Sequence, residues 1–152
     1  MPGPRVPARP RRRLHPAAAP LALGFMGLTG AVVVHFVDPN EPGHYPVCVW
    51  LALTGTYCPG CGTTRALHAL THLDIVGAAQ MNILLLAALP FLALGYLHWV
   101  YRSFRPSHRP PPPFPPFLAW AVPGIVVAFW ILRNLPFGVL LAPGGVPAPI
   151  LS

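Results

Sequence analysis

The chain has 152 residues, a net charge of +7 and a mean hydropathy of +0.56, with 54% hydrophobic and only 9% charged residues. A soluble domain carries roughly 25% charged residues, so this surface has too few charges to face water throughout and is expected to meet lipid. The position of the charge argues against nucleic acid as a partner: Arg5, Arg9, Arg11, Arg12 and Arg13 precede the first apolar run, Arg102, Arg105 and Arg109 follow the second, and no recognised binding module accompanies them.

Residues 1–16 are an arginine- and proline-rich arm with nothing to bury, expected to be disordered. Residues 17–37 are uncharged, with Thr29 and His35 as the polar side chains, and about 20 such residues cross a bilayer core. A cleaved signal peptide competes with this reading. The run is longer than the roughly 7–15 residues of a signal core and lacks a small-x-small ending, which favours an uncleaved anchor. Residues 38–46 are a polar turn region holding Asp38 and Glu41. Residues 47–55 are apolar but too short to span, and read as a re-entrant or interfacial segment.

The densest stretch follows: Tyr57-Cys58-Pro59-Gly60-Cys61-Gly62-Thr63-Thr64-Arg65-Ala66-Leu67-His68. It reads as a breaker-rich turn opening a helix to about residue 73, with Thr63 or Thr64 as the N-cap. On a helical wheel Cys61, Arg65, His68 and His72 fall in a stripe roughly 60° wide. Residues 75–101 form a second span, with Gln80 and Asn82 early, Pro90 expected to kink it, and His98, Trp99 and Tyr101 at its exit. Residues 102–116 are a basic, then proline-rich link expected to be stiff and extended. Residues 117–141 are the third span, with Pro136 expected to end the regular helix near residue 132. Residues 142–152 are an apolar tail rich in proline and glycine.

The expected fold class is therefore an all-α integral membrane protein: three transmembrane helices over residues 17–141, plus a short amphipathic or re-entrant helix after the Cys-Pro-Gly-Cys-Gly turn. Arginines beside spans favour the cytoplasmic side. That puts the N-terminus and the proline-rich link in the cytoplasm, and the cysteine motif and C-terminus on the outer side. Span three then carries Arg133 and Asn134 to the motif's face. An arginine at membrane depth needs a partner; Asp74, carbonyls of the breaker-rich loop, or lipid phosphate are the options. One cluster of Cys58, Cys61, Arg65, His68, Asp74, Asn82, Arg133 and Asn134 is expected.

Three chemistries compete for it. Cys58 and Cys61 are a candidate redox pair, because a helix N-terminus and Arg65 favour a thiolate. The strand context of thioredoxin-like enzymes is missing. Cys58, Cys61, His68 and His72 are a candidate zinc or soft-metal set, although the central gap is shorter than in zinc fingers. The third reading is structural: a turn and helix lock, with Arg65, Asp74, Asn82, Arg133 and Asn134 as the polar cluster, in a small accessory membrane subunit acting with a membrane protein partner. Cys48 is left over from the pair. No catalytic residue is assigned, and the pattern leans away from an enzyme.

The sequence Cys-Pro-Gly-Cys-Gly-Thr-Thr-Arg, followed by Ala-Leu-His-Ala-Leu, an aspartate, an asparagine opening the next span and a late Arg-Asn-Leu-Pro, resembles the DUF2752 family. Its members are small bacterial multi-pass membrane proteins of unknown function with a Cys-Pro-x-Cys-Gly-x-Thr-Arg signature. The resemblance covers residues 48–136 and implies a membrane protein without implying an activity.

Overall fold

The computed structural model describes residues 15–105 and 115–149. Residues 1–14 of the expected disordered arm, most of the proline-rich link and the last residues of the tail lie outside the described residues.

The described residues are helical and contain no strand. Helix α1 (Ala18–Phe36) lacks any charged residue and presents most of its large side chains outward. It lies against α4 (Ile75–Phe104), where the Tyr96 hydroxyl donates to the Pro20 carbonyl at 3.0 Å. Gly24 makes that approach feasible, since a Cβ there would collide with the Tyr96 hydroxyl.

Two short helices lie between these long ones. Helix α2 (Val49–Thr54) is stopped after one and a half turns by Gly55 in the left-handed region. Helix α3 (Thr63–Thr71) packs chiefly on α4 and then on α1. Its cap differs from the expected threonine. Gly62 occupies that position at φ 84°, with no side-chain cap. Thr63 is already helical, and its hydroxyl accepts from Asn82 Nδ2 at 3.3 Å.

Asp74 caps α4, its Oδ1 accepting the Gly77 N–H at 2.8 Å. The backbone of α4 leaves helical angles at Asn82 (φ −158°, ψ 91°), while Pro90 lies within the helix without such a departure. Asn82 Oδ1 accepts the Leu85 N–H at 3.1 Å and so caps the part beyond it. At 1.5 Å per residue, residues 83–104 make a helix about 33 Å long.

Helix α5 (Pro116–Leu132) ends where the regular helix of the third span is expected to end, near residue 132: the chain leaves the helix at Arg133 and continues in 3₁₀ turns from Pro136. Gly138 folds against the Leu132 carbonyl, where a Cβ would collide. Two helices, α1 and α4, are long and apolar enough to cross a membrane; α5 is apolar but shorter. The interior is small. Tyr57, Cys61, Ala142 and Ala148 form its buried cluster, with Cys48, Leu51 and Cys58 packed against it.

Candidate functional site: a three-cysteine cluster on an arginine frame

Three free thiols meet at one point. Cys58 Sγ lies 3.2 Å from Cys61 Sγ and 3.6 Å from Cys48 Sγ, and all three sulfurs lie within 4.8 Å of one another. Cys48 precedes α2, and Cys58 and Cys61 form the turn before α3. Within that turn the Cys61 N–H donates to the Cys58 carbonyl at 3.1 Å, and the Cys58 N–H donates to Cys61 Sγ at 3.3 Å.

The turn is held from behind by two buried side chains. Arg133, 1% exposed, donates from Nη1 to the carbonyls of Cys58 (3.0 Å), Pro59 (3.4 Å) and Cys61 (3.3 Å), and from Nη2 to Cys61 again (3.3 Å). Its guanidinium also lies over the Phe129 ring at 4.8 Å and the Tyr57 ring at 5.6 Å. Asn82, 2% exposed, donates to the Pro59 and Cys61 carbonyls at 3.0 and 3.4 Å. Of the three options for Arg133, the carbonyls of the breaker-rich loop are the partner. Asp74 is exposed and occupied as a helix cap.

Asn134 fixes the residue before the motif. Its Oδ1 accepts the Tyr57 N–H at 2.7 Å, and its Nδ2 donates to the Tyr57 carbonyl at 2.8 Å. Cys58, Cys61, Asn82, Arg133 and Asn134 are thus brought together. Arg65 is exposed, on the rim of the same region.

The four-ligand set Cys58, Cys61, His68 and His72 is not assembled. His68 Nδ1 donates to the Val34 carbonyl at 2.7 Å, and His72 Nε2 to the His35 carbonyl at 3.3 Å. These are among the last carbonyls of α1, which have no partner within the helix, so the imidazoles serve as its C-terminal cap. His72 stacks on His35 with centroids 4.3 Å apart, and His68 Nε2 lies 3.8 Å from Asp38. The group that joins Cys58 and Cys61 is Cys48 instead. Sequence reasoning left it unused because nine residues separate it from Cys58; the apolar segment between them, read as one short helix reversing at Gly55, was the available signal.

A cleft of about 520 Å³ opens on the thiols. Its lining includes all three cysteines, Thr63, Thr64 and Arg65, together with Glu41 and Tyr45 of the α1–α2 connection. Electrostatics differ across the cluster. Burial pushes the Cys61 thiol up to about 12. The Leu51 N–H lowers the Cys48 thiol below its ordinary value.

Residues 48–96 match the model of a family described as "Protein of unknown function (DUF2752)". This stretch is a DUF2752 segment. It begins at Cys48 and includes all three thiols and Asn82, whereas Arg133 and Asn134 lie beyond it. No curated protein and no solved structure matches the chain.

Proposed function

We propose that the protein is a small membrane protein whose DUF2752 segment binds one thiophilic metal ion, zinc foremost, through Cys48, Cys58 and Cys61. The observation that carries this reading is the convergence of three sulfurs within 4.8 Å from two separate segments. Thiolates suit Zn²⁺ and other soft ions, and Zn²⁺ with three protein donors keeps a position for an outside ligand. The frame fits the charge this requires. Three thiolates around a divalent ion carry one net negative charge, and Arg133, buried and paired only with neutral carbonyls, supplies one positive charge behind it.

The membrane reading rests on the helices. Almost nothing in the most apolar windows of α1 and α4 is buried, and Phe25, Met26, Phe91 and Leu94 project outward. A core helix of a soluble protein would bury that surface. With α5 as a third, shorter crossing, the arginine distribution favours a cytoplasmic N-terminus and an outer metal site. On this reading the protein is an accessory subunit that presents a metal centre at the membrane surface.

A second reading is supported by the 3.2 Å between Cys58 and Cys61: a thiol–disulfide pair. The raised Cys61 thiol slows exchange through that pair, because a poor thiolate is both a slow attacker and a slow leaving group, and a metal ion at the same sulfur must displace its proton. The deciding experiment is metal analysis of protein purified in detergent without added metal. One ion per chain, lost in Cys48→Ser, supports the metal site; no ion, with a mass two hydrogens lighter before reduction, supports the disulfide.

A further inference from the structure

The metal site leaves its fourth position unexplained, and the cleft suggests what fills it. Among the described residues, no other cysteine, histidine, aspartate or glutamate joins the three sulfurs. His68 and His72 each have a ring nitrogen committed to an α1 carbonyl, and His44 pairs with Glu41. The side open to solvent is the cleft, and Arg65 lines it one turn beyond Cys61. Arg65 is exposed and has no ion pair among the described residues. Glu41, the acidic residue of the cleft lining, pairs with His44 at 3.3 Å instead.

The geometry points to an exchangeable fourth position, facing the cleft, that takes a small thiol carrying a carboxylate. This rests on the three-sulfur metal site proposed above. Sulfur is the donor because a soft ion in a sulfur environment favours another thiolate. The carboxylate follows from Arg65, whose planar guanidinium pairs with carboxylates through two parallel hydrogen bonds. On binding, the metal–sulfur bond forms, a bound water leaves, and the thiol proton passes to solvent. No electrons are exchanged. Glu41, also in the cleft lining, disfavours ligands of higher negative charge.

The test uses the full chain in detergent micelles, loaded with Co²⁺ as a spectroscopic substitute for zinc. Mercaptoacetate and 2-mercaptoethanol are titrated separately while the sulfur-to-cobalt charge-transfer absorption is followed. Both thiols are expected to intensify it, mercaptoacetate at about three- to fivefold lower concentration, the size expected of one exposed ion pair. Arg65→Gln is expected to abolish that advantage and leave the 2-mercaptoethanol titration unchanged. Arg65 is exposed and outside the buried frame, so this variant is expected to fold. An absorption that neither thiol alters in Co²⁺-loaded protein would overturn the open position. An advantage kept in Arg65→Gln would overturn the carboxylate assignment. A chain that takes up no Co²⁺ refutes the metal site itself, which separates the two failures.

Discussion

Asn134 grips Tyr57 by both of its backbone hydrogen-bonding groups, 77 residues away along the chain. The side-chain amide does what a neighbouring strand would do, accepting from the N–H and donating to the carbonyl. It thereby closes the end of α5 onto the start of the cysteine turn without any sheet. Asn134→Ala leaves both Tyr57 groups without that partner in a half-buried setting. The expected loss is about 2–4 kcal/mol, from two hydrogen bonds at roughly 1–2 kcal/mol each when a buried partner is orphaned. Unfolding in mixed micelles measures it; a change below half a kcal/mol would show that the contact is incidental.

Arg133 organises the turn more strongly, because one guanidinium satisfies the carbonyls of Cys58, Pro59 and Cys61. Arg133→Met keeps the volume and removes all of these bonds, and should cost on the order of 3–5 kcal/mol. Arg133→Lys keeps the charge but not the planar fork, and should fall between the two. If lysine is as damaging as methionine, the fork geometry rather than the charge holds the turn.

Much of this was legible in the sequence. The apolar runs, the polar turn and the meeting of the late Arg133-Asn134 pair with the cysteine turn follow from composition and chain direction. The three-cysteine grouping was not legible, because His68 and His72 share a helical stripe with Cys61 while their actual partners are carbonyls at the end of α1, more than thirty residues earlier. Backbone acceptors carry no sequence signature. Asn82 belongs to the expected cluster, but its backbone role was not legible: it breaks the helix, caps its continuation and reaches back to Pro59.

Gly62 is fixed by two constraints at once. Its φ of 84° is in the left-handed region, and a Cβ would stand 2.5 Å from the Met81 carbonyl oxygen. Gly62→Ala should therefore destabilise by about 2 kcal/mol or more, from the backbone strain and the contact together. It should also weaken metal retention, since Gly62 joins Cys61 to α3. Gly27, whose Cβ would meet nothing, is the matched control.

The thiols should differ in reactivity when metal is absent. Cys48, lowered by the Leu51 N–H and only half-buried, is expected to alkylate first, and Cys61, buried and raised to about 12, last. The same shift has a consequence for stability. The folded chain holds the Cys61 proton above the ordinary 9.0, so stability is intact below about pH 9.0 and falls as pH rises from there toward about 12. Cys61→Ser, which does not titrate in this range, should flatten that alkaline loss. Alkylation mapped by peptide mass, and melting curves of metal-free protein from pH 8 upward, check the two statements.

The most direct measurement is the metal content of protein purified without added metal, determined for the wild type, Cys48→Ser and His68→Ala/His72→Ala. One zinc or other thiophilic ion per chain is expected in the wild type and in the double-histidine variant, with loss in Cys48→Ser. An ion retained by Cys48→Ser and lost with the histidines, or no ion in the wild type, would contradict the three-cysteine site.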